Sequence, residues 1–189
     1  MNEAIKEVLF DEQDINGIVE ALANEINRDY DGKEIILVGL LKGSMVFMSD
    51  LLRKIKVPCE IDFMAASSYG SSTVSSGSVN IEKDLSCDIE NKNVIVVEDI
   101  VDSGNTLGLV LEILRERKPA ELRLCSFLSK PSRRVKNIRL DYLGAEIPDR
   151  FVVGYGLDFD EKFRNLPYLG ILDPKFCSRF YYRIHNVKE

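Results

Sequence analysis

Val96-Val97-Glu98-Asp99-Ile100-Val101-Asp102-Ser103-Gly104-Asn105-Thr106-Leu107 is the stretch that decides the reading of this chain. Asn93 to Val97 is short, apolar and β-branched, which predicts a buried strand. Three carboxylates, Glu98, Asp99 and Asp102, then leave its C-terminal edge, and a small, hydroxyl-rich turn opens a helix. Leu107, Val110, Leu111 and Leu114 fall on one face of that helix, which ends before Pro119, and Glu121 to Leu128 reads as the next strand. Two buried strands joined by an amphipathic helix make a right-handed βαβ unit and hence a parallel sheet.

In open sheets of this class ligands bind beyond the carboxyl ends of the strands. A helix N-terminus with free N–H groups cradles phosphate. Gly104 lets a backbone come close, Ser103 and Thr106 add hydroxyls, and Glu98 and Asp99 suit the vicinal hydroxyls of a sugar or a hydrated Mg2+. An ordinary acidic β–α turn capped by Asp or Ser accounts for a shorter string; it does not account for all twelve residues.

Outward from this stretch, Asp11 is placed to cap a helix carrying Ile15, Ile18, Val19, Leu22 and Ile26. Glu34 to Gly39 reads as a strand ending in Leu41-Lys42-Gly43-Ser44, followed by a helix on Met45, Phe47, Met48, Leu51 and Leu52, and by a strand from Ile61 to Ala66. Ser67 to Ser78 is a low-complexity, serine-rich run, read either as a surface loop or as an active-site lid. Phe151 to Gly154 and Tyr168 to Leu172 are further short strand candidates. No internal repeat and no domain linker stands out.

The chain has 189 residues, 45% of them apolar and 30% charged, with a net charge of −6, enough for one packed domain. The acidic balance and the lack of a Lys/Arg run argue against nucleic-acid binding. Cys59, Cys87, Cys125 and Cys177 form no Cys-x-x-Cys pair and read as thiols in a reducing compartment. His185 is the single histidine, which disfavours a zinc cluster. Neither a signal peptide nor a membrane-spanning run is evident, so a cytoplasmic protein without membrane contact is expected.

The twelve-residue string resembles the phosphoribosyl-pyrophosphate motif of type I phosphoribosyltransferases: an apolar strand, two acids, two apolar residues, then Asp-Ser/Thr-Gly-x-Thr. Further segments narrow the resemblance to the bacterial-type hypoxanthine-guanine phosphoribosyltransferases. Leu41-Lys42-Gly43 is similar to their pyrophosphate loop, and Ser68-Tyr69-Gly70 to the start of their mobile lid. Lys130 is similar to their purine-reading lysine, Ile147 to Asp158 to their purine-stacking hood, and Arg164 to a pyrophosphate contact. The matches run in order from Leu41 to Arg164. Asn105 departs from the pattern, since many members carry a longer residue there.

The resemblance implies an α/β fold with a central, mostly parallel sheet flanked by helices. Residues 1–189 would form a single domain, with a lid at about 67–80 and a hood drawn largely from about 145–189, with or without N-terminal residues. It implies purine salvage: IMP or GMP plus pyrophosphate made from hypoxanthine or guanine and phosphoribosyl pyrophosphate, with Mg2+, in a homodimer or homotetramer. Asp102 would accept the purine proton. Lys42, Gly43 and Arg164 would bind pyrophosphate, and Asp102, Ser103, Gly104, Asn105 and Thr106 the 5′-phosphate. Glu98 and Asp99 would hold ribose hydroxyls and metal, with Asp158 near a second metal position and beside the purine. Lys130 would read a 6-oxo group, Phe151 would stack on the base, and the Val152 carbonyl would accept from a guanine amino group. Ser68 and Tyr69 belong to the lid. Lys130 also fits a solvated surface lysine, Phe151 a core strand position, and Arg164 an ion-pair partner of Asp160 or Glu161. Two rivals are a phosphoribosyltransferase-fold regulator that binds RNA and an enzyme preferring xanthine. A P-loop kinase is excluded, because no Gly-x-x-x-x-Gly-Lys-Ser/Thr string occurs.

Overall fold

The structure is a computed structural model that describes residues 3–68 and 79–176. A six-stranded sheet runs in the order β4 (Val79–Lys83), β3 (Cys59–Ser68), β2 (Ile35–Leu41), β5 (Asn93–Val101), β6 (Glu121–Ser129), β7 (Tyr142–Glu146). Every neighbouring pair is parallel except β3–β4. A second sheet joins β1 (Ile5–Phe10), β9 (Leu169–Leu172) and β8 (Val152–Val153), all antiparallel.

The alternation of side chains along the central strands divides the core in two. Ile35, Leu37, Ile95 and Val97 pack toward α1 (Glu12–Asp29) and α2 (Met45–Leu52). Ile36, Val38, Val94 and Val96 pack toward α3 (Asn105–Glu116). Both faces of β2 and β5 are thus covered, which is why these strands read as near-continuous apolar runs. Helix α1 starts where its sequence says: Asp11 accepts from the Gln13 and Asp14 amides, and the Asp14 carboxylate accepts from the Asp11 amide in return. Among the described residues no helix is long and apolar enough to cross a membrane.

The topology fixes where a ligand can sit. Strand β2 leads through α2 to β3 on one side, and β5 leads through α3 to β6 on the other. The two crossovers diverge between β2 and β5, and a crevice opens at the C-terminal ends of that pair.

Strand β5 runs further than the Asn93–Val97 span read from the sequence. Its pairing with β2 stops at Gly39↔Val97, whereas pairing with β6 continues to Val101↔Ser129. Glu98 and Asp99 therefore ride on a strand end that is paired on one side only. The short edge strands β1, β4 and β7 were not evident from sequence. Of these, β4 alternates half-buried residues with exposed polar ones, as edges do.

Asp62 anchors the segment that follows β4. Its buried carboxylate accepts from the Phe63, Ser86 and Cys87 amides and lies 3.3 Å from Lys83 Nζ. Although burial opposes ionisation, these amide donors hold the Asp62 carboxyl far below the usual carboxylate range. A folded-state value below the unfolded one contributes stability at neutral pH that is lost as pH falls below the ordinary carboxylate range. We expect Asp62→Asn to lower unfolding free energy by about 2–3 kcal/mol at pH 7, measured by urea denaturation, with the deficit shrinking below about pH 4. A deficit that stays constant across that range would contradict this account.

Candidate active site

Three backbone segments meet at the crevice. Asp99 turns one oxygen to the Ile100 amide (2.8 Å) and lays its carboxylate against Gly43, where any Cβ would collide with it. Gly156 in turn sits on the Gly43 carbonyl at φ +97°, a conformation and a clearance that only glycine supplies. The Leu41–Lys42 peptide bond just before Gly43 is cis. Arg164 Nη1 donates to the Gly156 carbonyl at 2.8 Å, and its Nη2 pairs with Asp158 Oδ1 at 2.9 Å. The strand end, the Lys42–Gly43 turn and the Gly156–Arg164 segment thus form one wall.

Behind this wall lies a cavity of ≈ 150 Å³ lined by Gly43, Ala66, Glu98, Asp99 and Thr106, among others. Burial pushes Glu98 well above the usual carboxylate range, and the charge of Asp99 adds to the effect. Burial likewise pushes Asp99 up to about 6; the Ile100 amide and Arg164 hold it down in part, and Asp158 adds to the rise. Glu98 Oε2 is shut off from solvent and has no hydrogen-bond partner. Two crowded acids with an orphaned oxygen have the chemistry to receive a cation or sugar hydroxyls. Among the described residues no group of three or more His, Cys, Asp or Glu side chains converges as a metal cage. The pair fits a cation that takes its remaining ligands from substrate and water, as Mg2+ does.

On the other side of the crevice α3 begins without a side-chain cap, in contrast to α1. Gly104 adopts φ +80° at the N-cap, with 2.6 Å between a notional Cβ and Ile138 Cδ1, and the Asn105 amide lies 3.4 Å from Ser103 Oγ. An uncapped helix start presents amides to an anion. The turn is braced from below by residues sequence reading missed. Arg134 donates to the Asp102 and Val101 carbonyls (3.2 and 3.4 Å) and to Ser129 Oγ (2.8 Å), while the Val135 and Lys136 amides both donate to the Ser103 carbonyl. Arg133 Nε lies 2.8 Å from Asp102 Oδ1. The adjacent arginines after Lys130-Pro131 were the available signal.

The remaining candidates lie on several other segments. Lys130 is buried rather than a solvated surface lysine, with its amide on the Val101 carbonyl and its Nζ 4.0 Å from Asp149 Oδ1. Phe151 is half-exposed and meets Phe159 edge-on, so it is not a core residue. Val152 is buried in β8 opposite Ile171. Lys42 pairs with Glu161 at 3.1 Å, and Arg164 approaches the same carboxylate at 3.4 Å; Asp160 pairs with Lys162 instead. The Lys42 contact holds Glu161 below the usual range. Tyr69 and the run to Ser78 lie outside the described residues, as does the side chain of Ser68; the described strands β3 and β4 flank the run, with Ser68 opposite Val79. Cys177 and His185 also lie outside.

A larger cavity of ≈ 640 Å³ opens between α1, α2 and the Arg164–Pro167 segment. Arg164 lines it but none of the β5 carboxylates does, so the chemistry points to the smaller one.

Comparison with known proteins identifies the family. The phosphoribosyl transferase domain family matches residues 7–160. A hypoxanthine-guanine phosphoribosyltransferase of Staphylococcus aureus is 48% identical over 178 residues, 94% of this chain and 99% of the relative. A crystal structure of a hypoxanthine phosphoribosyltransferase from Staphylococcus aureus superposes with a TM-score of 0.89 at 48% identity, covering 92% of this chain and 94% of the other. A hypoxanthine-guanine phosphoribosyltransferase from Bacillus anthracis, with a HEPES molecule in its active site, gives 0.86 at 46% identity, covering 89% and 99%.

Proposed function

We infer, because this chain belongs to the phosphoribosyl transferase family and within it to the hypoxanthine-guanine phosphoribosyltransferases, that it makes IMP and GMP plus pyrophosphate from phosphoribosyl pyrophosphate and the free base. The observation that supports this most directly is the pair Glu98–Asp99, crowded and under-partnered, on the strand end that leads into the uncapped start of α3. One residue group suits the hydroxyl face of a ribose, the other its 5′-phosphate.

The reaction forms a bond between a purine ring nitrogen and the anomeric carbon while the bond from that carbon to pyrophosphate oxygen breaks. Positive charge grows on the sugar, negative charge on the leaving group, and the purine loses a proton. The Gly104–Thr106 backbone and the Ser103 and Thr106 hydroxyls bind the 5′-phosphate and fix the sugar's position. Lys42, the Gly43 amide and Arg164 bind the departing pyrophosphate; Glu161, which now holds both cations, is displaced as the substrate arrives. Asp102 accepts the purine proton. Lys130 donates to the 6-oxo group, and because an ammonium has no acceptor it disfavours the 6-amino group of adenine. Phe151 offers an exposed ring face to the base, and the Val152 carbonyl accepts from a guanine amino group. Glu98 and Asp99, with Asp158 nearby, would hold Mg2+, which supplies neutralisation of pyrophosphate charge. Tyr69 and the serine-rich run shield the sugar cation from water. We take residues 1–189 as one catalytic domain that works in the cytoplasm as a homodimer or homotetramer.

Pyrophosphate release with phosphoribosyl pyrophosphate and Mg2+ tests the reading when hypoxanthine, guanine, xanthine and adenine are offered separately. Turnover is expected with the first two, weak or absent with xanthine, and absent with adenine. Adenine turnover without hypoxanthine turnover would remove the role given to Lys130.

A further inference from the structure

We propose that Arg133 is a positioning residue for Asp102, holding one carboxylate oxygen so that the other faces the purine proton. The proposal rests on the reading of Asp102 as the proton acceptor. Arg133 lies on the 3₁₀ turn Pro131–Arg133 directly after β6, and its Nε approaches Asp102 Oδ1 to 2.8 Å. The contact is an ion pair rather than an aligned hydrogen bond, and Oδ1 is otherwise shut off from solvent and partners. Among the described residues Asp102 Oδ2 takes part in no hydrogen bond. One oxygen is therefore anchored and the other is free to receive a proton.

The guanidinium is itself held from its far side, because Nη1 lies 3.5 Å from Asp149 Oδ1, the same oxygen that Lys130 Nζ approaches at 4.0 Å. The charges alternate along Lys130, Asp149, Arg133 and Asp102, joining the candidate base-reading residue to the candidate proton acceptor. A flat, forked guanidinium fixes direction between two carboxylates in a way that a single-point ammonium does not. Arg133, Asp102 and Asp149 are each 40–52% exposed, and ion pairs so exposed add little to stability. Stability alone therefore does not explain the arrangement. The neighbouring Arg134 grips the Asp102 carbonyl, so the main chain keeps its place when Arg133 changes.

The test is a double-mutant cycle read by single-turnover nucleotide formation at saturating hypoxanthine and phosphoribosyl pyrophosphate, with KM measured alongside. Arg133→Gln is expected to slow the chemical step about tenfold, within the range that proton-transfer catalysis supplies, with KM for phosphoribosyl pyrophosphate within about twofold. Arg133→Lys, which keeps a cation without the fork, is expected to lose about threefold. In an Asp102→Asn background, Arg133→Gln is expected to cost less than about twofold, since there is no carboxylate left to position. An unchanged rate for Arg133→Gln would overturn the proposal, as would a tenfold loss that persists in the Asp102→Asn background. Full turnover by Asp102→Asn alone would overturn the proton-acceptor reading first, and this proposal with it.

Discussion

Asp102→Asn is expected to slow nucleotide formation by about 10²–10⁴-fold, the range general-base removal costs, while phosphoribosyl pyrophosphate binds within a few-fold of its normal affinity. The asymmetry follows from how the residue is held. Its carbonyl is gripped by Arg134, and the carbonyl of the next residue, Ser103, accepts from the Val135 and Lys136 amides. The backbone of the turn therefore does not depend on the carboxylate. Asparagine is nearly isosteric and leaves the turn intact, but its amide does not take up a proton at neutral pH. Single-turnover quench-flow gives the rate and calorimetric titration gives the affinity. Equal losses in both would mean that Asp102 acts mainly through the shape of the turn.

The second large effect has opposite signs for stability and activity. Glu98→Gln should raise the unfolding free energy of the substrate-free protein by about 1–2 kcal/mol at pH 8, since it removes a buried, unpartnered charge next to another acid. It should also reduce kcat/KM about 10²-fold or more, the scale seen when one preorganised electrostatic contact is removed. The pH dependence fixes the sign. A carboxyl whose folded-state value lies above the unfolded one costs stability that is absent at low pH and grows as pH rises past the ordinary carboxylate range. For Asp99 that growth is complete once pH passes about 6. The gain from Glu98→Gln should accordingly vanish below about pH 4. Urea denaturation at several pH values, beside steady-state kinetics, decides the matter. A variant less stable than the parent at pH 8 would show that Glu98 has a partner in the fold after all. Stability given up at a site where like charges are forced together is the usual mark of function.

Much of this architecture could be read before any coordinates. The β5–α3–β6 unit announced itself because its strands are buried on both faces and its helix shows one apolar face. The Asp11 cap and the spacing from Ile15 to Ile26 located α1. What escaped were the short edge strands β4 and β7, and β1, whose Ile5 pairs with Leu172 far along the chain. Local pattern carries no information about such pairing. The site divides in the same way. The acids and the turn sit within twelve consecutive residues and were legible together. The hold of Arg133 on Asp102, of Glu161 on Lys42 and of Asp99 on Gly43 exists only after folding. The burial of Lys130, which separates it from an ordinary surface lysine, likewise needed the fold.

The stacking of Gly156 on the Gly43 carbonyl, and of Gly43 on the Asp99 carboxylate, bears on how this protein can change. Neither glycine carries a side chain to cushion these layers, so a shift of a few tenths of an ångström in one is handed on, as in close-packed interiors. Attempts to retune base preference by altering the Phe151–Asp158 stretch should therefore disturb the leaving-group end as well. Evolution or engineering would have to adjust the two ends in concert, like meshed teeth, rather than one at a time.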